Sequence, residues 1–324
     1  VNNSLIKTLH SSFFPKYLSI FFRMKSMSPL QPHPDIRPES LSKFRTYITG
    51  SAEVPKLPIV LQEVLDCSQD SNANAEKLSV IIATDTMISA QLLKTVNSAY
   101  YGFPQQIASI KHAIVLLGFS EVSNLAVGLA LMGLMKPKNA DPFYHQFRNH
   151  SLATAQLALC LAEKVAFKDK STVYTGGLLH DFGLLMLYSW QPEKYRQVLS
   201  KCQVERVPIF QIERELLGLD HMLAGDLIGH LWHLPTPLIL SMQCHHDKNI
   251  TEKSEAVFIA IIQLAHVLGY QMGFPLIRDI ATPKLPKAVC QLLKKVQPEL
   301  NLANIKLWLT EIKPQLAQLP SRAR

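Results

Sequence analysis

An all-α protein of two helical lobes is the fold the sequence predicts. Three observations carry it. From about Pro55 onward, apolar residues recur at spacings close to 3.6. No alternating apolar and polar stretch of useful strand length interrupts them, and no repeat period is visible. Residues that start and stop helices fall where the periodic segments begin and end. The chain has 324 residues, 48% of them hydrophobic and 18% charged, which suits a sizeable core and excludes disorder over most of the length.

The elements follow in chain order. Residues 1–54 are expected to form a basic extension that ends in a proline-rich linker, SPLQPHPDIRP, at 28–38. The segment FFPKYLSIFF at 13–22 is apolar but short of the roughly 18 residues a membrane helix needs. With Lys7, Lys16, Arg23 and Lys25 around it, it reads as a weak signal sequence, an amphipathic surface segment, or the product of an over-early start codon. No A-x-A-like cleavage site follows, and Met24 and Met27 lie just downstream, so the last reading is favoured.

The first lobe is expected over 55–137. LPIVLQEVLD places Leu57, Val60, Leu61, Val64 and Leu65 on one helix face. NAEKLSVIIATD follows, with Asn74 as N-cap and Lys77, not a Glu or Gln, three residues on, so no capping box forms. In TMISAQLLKTVNSAYYGFP, Ile88, Leu92, Leu93 and Val96 make a stripe that ends at Gly102 and Pro104. IASIKHAIVLLGFSEVSNLAVGLALMGLM gives two helices broken near Gly118. KPKNADP at 136–142 is the expected boundary to a second lobe over 138–275, and proline punctuation at 281–286 introduces a helical tail over 276–324.

Charge is unevenly spread. The net +8 divides into +5 over residues 1–56, +6 over 284–324 and −3 over the body between them. Basic ends on a mildly acidic body do not make a nucleic-acid groove, and solvated ends are the simpler account. The five cysteines, Cys67, Cys160, Cys202, Cys244 and Cys290, are scattered and form no CxxC, which points to reduced thiols and a cytoplasmic setting.

The chemistry lies in the histidines, nine of whose twelve fall between 145 and 266. His150 opens HSLATAQLALCLAEKVA, His180 and Asp181 interrupt an apolar helix in TGGLLHDFGLLML, and His221 sits in GLDHMLAG. His245 and His246 end LILSMQCHH, and His266 interrupts IIQLAHVLG. A carboxylate on an apolar helix must be paired, hydrogen-bonded or metal-bound, because burying it bare costs several kcal/mol or more. An adjacent imidazole and carboxylate can share one divalent ion if other helices supply the remaining ligands. A spacing of about 30–40 residues between the clusters fits one ligand group per helix of a bundle. Single buried histidines are more often satisfied core residues, and that alternative stays open. Asn97 reads as a side chain serving helix-end carbonyls or a neighbouring loop, Tyr100 and Tyr101 as packing between the lobes, and Trp232 as core.

The order His150, His180-Asp181, His221, His245-His246 resembles the HD superfamily of metal-dependent phosphohydrolases. LPIVLQEVL, NSAYYG, SIKHAIVLLGFSEVSNLA, GGLLHDFG, GLDHMLAGDLIGHLWHLP and CHH together resemble the HDOD family, the HD-related output domain of bacterial signalling proteins, over about residues 55–275. NSAYYG and SIKHAIVLLG are specific to HDOD proteins rather than to HD enzymes at large. The resemblance implies an N-terminal helical lobe packed on an HD-like helical lobe.

Two departures bear on function. Active HD enzymes close their site with a late Asp, and the matching position here is His266, which lowers the negative charge available to a dication. HD enzymes of the cyclic-dinucleotide class follow His-Asp with x-Gly-Lys. This chain has Phe182, Gly183 and Leu184, so an aliphatic side chain stands where a phosphate-facing cation would be. The expected ligand-type set is therefore His150, His180, Asp181, His221, His245, His246 and His266, with no catalytic residue assigned. It either retains one divalent transition metal ion without turnover or forms a metal-free network in which Asp181 pairs with His150 or His180. The favoured function is a non-enzymatic regulatory module acting on a signalling protein partner or a nucleotide second messenger. A metal-dependent phosphodiesterase is the alternative. A nucleic acid is not the expected partner.

A chain that begins at Met27 is expected to fold with an unchanged melting temperature, since the residues before about 35 are expected to pack poorly on the body. Insolubility, or a markedly lower transition in a thermal melt, would make that segment structural.

Overall fold

Every regular element among the described residues is a helix. The structure is a computed structural model and describes residues 33–50, 57–97, 101–134, 141–248, 250, 255–276 and 283–317. Expectations for the segment 1–32, Tyr100, the stretch 136–140 and the residues 281–282 fall outside them. The all-α prediction is borne out, and no described helix is long and apolar enough to cross a membrane.

Helix α1 (Pro38–Gly50) precedes the first lobe, whose helices are α2 (Ile59–Gln69), α3 (Ala75–Ala83), α4 (Thr86–Val96), α5 (Ile110–Leu117) and α6 (Phe119–Leu134). The predicted α2 stripe is inward, with Val60, Leu61, Val64 and Leu65 all buried and Leu57 partly so. Asn74 caps α3 by accepting from the Lys77 N–H at 2.9 Å. Gly118 separates α5 from α6 at φ +97°, a conformation that costs glycine little. The stripe of α4 stops earlier than Gly102. Asn97 caps it, donating from Nδ2 to the carbonyls of Leu93 and Ile107, both at 2.8 Å, and accepting from Ile107 N–H at 2.7 Å. The side chain thus satisfies helix end and loop together. Tyr101 lies parallel to Phe103, with ring centroids 6.3 Å apart.

Helix α1 lies in the region expected to be extension and linker. Phe44 and Ile48 are buried, and the Phe44 ring meets Trp190 of the second lobe edge-on at 5.3 Å. Just before it, Arg37 donates from Nη2 to the carbonyls of Glu215 at 3.2 Å and Leu216 at 3.1 Å, and its N–H binds Gly218 O at 2.8 Å. Gly218 has φ +76°, and a Cβ there would stand 2.3 Å from Arg37 Nε. With only two buried apolar residues, α1 offers too short a pattern to be read as a core helix.

The second lobe and tail comprise α7 (Pro142–Lys164), α8 (Lys170–Leu179), α9 (Phe182–Trp190), α10 (Pro192–Glu205), α11 (Ile209–Leu217), α12 (His221–Leu231), α13 (Thr236–Cys244), α14 (Ala256–Gln271), α15 (Lys287–Val296) and α16 (Leu302–Leu316). Helix α6 joins the lobes by packing on α8. Asn124 Nδ2 donates to Thr172 Oγ1 at 2.7 Å, and Thr175 Oγ1 donates to Asn124 O at 2.9 Å. One apolar core is continuous from Phe44 and Leu92 through Leu125 to Leu184 and Ile228, so the lobes share an interior. Trp232 is 8% exposed, with its ring 5.5 Å from that of Phe182, and belongs to this core.

A second core holds the tail. Val289, Leu293, Trp308 and Ile312 are buried with Ile259 and Ile262 of α14. Each large apolar side chain so buried contributes about 1.5–3 kcal/mol relative to exposure. The accompanying ion pair, Lys164 Nζ to Glu311 at 2.7 Å, is half-exposed and worth at most about 1 kcal/mol. The apolar seam therefore dominates, and α15 and α16 are integral to the second lobe.

Two helices approach tightly beside the histidine cluster. A Cβ on Gly183 of α9 would fall 1.9 Å from His221 O and 2.4 Å from Gly225 N of α12. Backbone on both sides leaves nothing flexible to move. Gly183→Ala is expected to destabilise the protein by about 3 kcal/mol or more, read as a shift of the urea midpoint. Wild-type stability in that variant would show that α9 and α12 do not need this contact.

Candidate metal centre

The His180-Asp181 pair does not sit within a single helix. It forms the break between α8 and α9, His180 ending one and Asp181 (φ −98°, ψ 12°) preceding the other. His150 likewise does not open its helix. Asp141 caps α7 by accepting from Phe143 N–H at 3.0 Å, and Pro142 fits the first position, which leaves His150 internal. His221 is the first residue of α12, whose N-cap Asp220 accepts from Leu223 N–H at 2.9 Å and from Arg214 Nε at 2.6 Å. His245 and His246 follow the last turn of α13, and His266 lies in the middle of α14.

These elements bring the ligand-type side chains around Asp181. Its Oδ2 lies 3.3 Å from His150 Nε2 and 3.2 Å from His180 Nε2. Its Oδ1 lies 3.1 Å from His245 Nε2 and 3.6 Å from His221 Nε2. His266 Nδ1 stands 2.8 Å from His180 Nε2 and 3.2 Å from His150 Nε2. The potential ligand atoms form two groups, each within 4.8 Å: His150, His180, Asp181 and His266; and Asp181, His221, His245 and His246. Asp181 belongs to both. His246 alone is partly exposed, and the Phe210 ring stands 5.2 Å from it with the Arg214 guanidinium over that ring.

Proton positions follow from the outer partners. His150 Nδ1 faces Phe274 O at 2.7 Å, His180 Nδ1 faces Gly177 O at 2.8 Å, and His245 Nδ1 faces Met242 O at 2.9 Å. A carbonyl oxygen only accepts, so each Nδ1 carries the proton and, in the neutral ring, each Nε2 keeps a lone pair. His221 Nδ1 faces Glu213 Oε2 at 2.7 Å and is protonated for the same reason. The Nε2 atoms of His150 and His180 are 3.3 Å apart, and those of His221 and His245 are 3.1 Å apart. Lone pairs this close repel unless a cation, proton or metal, lies among them.

Electrostatics agree. Burial works to raise the pKa of Asp181, but the surrounding His180, His150 and His245 imidazoles hold it well below the usual carboxylate range. Burial pushes His245 down to about 4 and holds His246 and His266 well below the imidazole range, so these three are neutral at pH 7. Burial also opposes charge on His221, but the Glu213 carboxylate, by charge and hydrogen bond, pushes it up to about 9. Asp181 Oδ2 and His266 Nε2 lack a hydrogen-bond partner despite full burial. Bonds of about 2.1 Å place tetrahedral ligand atoms about 3.4 Å apart, close to the spacings around Asp181. Imidazoles with one carboxylate, an orphaned carboxylate oxygen and converging lone pairs fit a divalent transition ion.

The family model for the HDOD domain matches residues 54–248. The chain belongs to the HDOD family. An HDOD domain protein of unknown function from Geobacter sulfurreducens superposes with a TM-score of 0.65, at 21% identity, over 87% of this chain and 96% of its own. A proposed phosphohydrolase from Shewanella amazonensis gives 0.64 at 19% identity, over 86% and 97%. A proposed signal transduction protein from Marinobacter aquaeolei gives 0.61 at 23%, over 86% and 65%. At these identities the likeness is one of fold. An uncharacterized protein of Treponema pallidum is 27% identical over 199 residues, 60% of this chain and 38% of that protein. The uncharacterized protein YuxH of Bacillus subtilis is 31% identical over 104 residues, 32% of this chain and 25% of that protein. The chain thus spans well under half the length of these curated relatives.

Glu213 escaped the sequence reading. It is fully buried, and Tyr195 Oη donates to its other oxygen. The signal was present, since Glu213 falls on the apolar face of α11 between Ile209, Ile212 and Leu217, where a carboxylate needs a partner.

Proposed function

We propose that this HDOD chain is a non-enzymatic regulatory module of bacterial signal transduction, working in the cytoplasm. In this reading the histidine–aspartate cluster binds a divalent transition metal and uses it to lock the second lobe. Its output passes through a protein partner or a nucleotide second messenger. The observation that carries the reading is closure. Asp181 is 1% exposed, and His150, His180, His221, His245 and His266 are all buried, with only the edge of His246 partly open. A phosphodiester must reach a metal-bound nucleophile to be cleaved. Leu184, at the position expected for a phosphate-facing cation, is fully buried in the apolar core and offers no charge to a phosphate.

A bound ion would supply positive charge to converging lone pairs, either those of His150, His180, Asp181 and His266 or those of Asp181, His221, His245 and His246. The protein supplies the rest. Outward Nδ1–H bonds fix four rings in the ligating tautomer, and Asp181 offers one oxygen to each group of imidazoles.

That same division of Asp181 favours a second reading. Two ions bridged by one carboxylate suit hydrolytic phosphoryl chemistry, and a phosphodiesterase acting on a nucleotide would use such a pair. Metal analysis and a phosphodiesterase assay on one purified sample separate the two. The regulatory reading expects bound metal in the wild type, background turnover of bis(p-nitrophenyl) phosphate and of cyclic dinucleotides, and a joint loss of metal content and melting temperature in Asp181→Ala. Metal-dependent turnover in the wild type that Asp181→Ala abolishes would establish the enzyme instead.

A further inference from the structure

The outer partners of the four Nδ1–H groups are not equivalent. Three are backbone carbonyls, and one, facing His221, is the carboxylate of Glu213. Glu213 Oε2 is held twice by the same residue, by the backbone N–H of His221 at 2.9 Å and by its Nδ1–H at 2.7 Å. Oε1 accepts from the phenol of Tyr195, itself fully buried. Three of the roughly four lone-pair positions of this buried carboxylate are thus taken by protein donors. Directed hydrogen bonds and nearby positive charge are what offset the cost of burying such a carboxylate.

We infer that Glu213 is a positioning residue for metal binding: it fixes His221 in the ligating tautomer and supplies the second negative charge that His266 fails to bring. The inference rests on the metal reading above. Its chemistry is general. An imidazole whose far N–H is held by a carboxylate is oriented and made a stronger donor, and losing such an outer partner typically weakens metal affinity by about tenfold to a hundredfold. With His266 in the expected carboxylate position, Asp181 is the only anionic ligand among the seven. Glu213 restores the missing charge further out, through His221, in the group that does not contain His266. Group two, Asp181 with His221, His245 and His246, is accordingly the group whose affinity depends on it.

The test compares the wild-type chain with Glu213→Gln, an isosteric change that removes the charge, by calorimetric titration with Zn2+ and by the visible spectrum of bound Co2+. Zn2+ binding weaker by about tenfold to a hundredfold in Glu213→Gln, with an altered Co2+ spectrum and a retained helical circular dichroism spectrum, supports the inference. Equal affinity and an unchanged spectrum overturn it. If the wild type itself binds no Zn2+, the metal reading fails first, and the two failures are told apart. Should Glu213→Gln not fold, nitrogen-15 NMR of the wild-type histidines decides. His221 protonated at Nδ1, with a strongly downfield proton that persists with Zn2+ bound, supports the role. His221 protonated at Nε2 alone overturns it.

Discussion

One buried carboxylate organises the second lobe. Asp181 lies at 1% exposure with imidazole nitrogens from four other segments within 3.6 Å or less of its oxygens or of one another. An anion in such a place costs several kcal/mol unless positive charge or directed hydrogen bonds offset it. The geometry of the surrounding helices follows from meeting that need. Helix α8 stops where His180 must turn inward, α12 starts where His221 must face Asp181, and α13 ends at His245. Those three use helix ends, which can aim a side chain and its own backbone groups at one point, while His150 and His266 project from the interiors of α7 and α14.

The tight crossing of α9 and α12 serves the same centre. Gly183 follows Asp181 by two residues, and its missing side chain lets the His221 carbonyl come within the space a Cβ would fill. Packing and the placement of His221 beside Asp181 are therefore the same constraint here. The apolar residues around it, Phe182 and Leu184 among them, exclude water and so strengthen every charge interaction inside.

Much of this was legible in the sequence, and the rest was not for identifiable reasons. The stripe of α2, the Asn74 cap and the Gly118 break follow from local chemistry, so local patterns reveal them. The histidines stood out because polar side chains on apolar helices need partners. The break between α8 and α9 carries no Pro, and its glycines lie to either side, so periodicity alone ran through it. The start of α7 was misplaced because the helix begins at Pro142, well before the apolar run at His150. Glu213 and α1 depend on partners that a linear pattern does not display. Glu213 answers His221, and α1 answers Trp190 and the end of α11.

The Arg37 clasp has a consequence for how the chain is made. Its guanidinium and N–H bind carbonyls 178 to 181 residues further on. During synthesis at about 5–20 residues per second, Arg37 waits about ten to thirty-five seconds for those acceptors to be made. The Phe44 ring likewise waits for Trp190 of the second lobe. Docking of α1 is thus a late event closing a very long loop, a kind of contact that slows folding. The first lobe, whose contacts from α2 to α6 are local, is free to form before it.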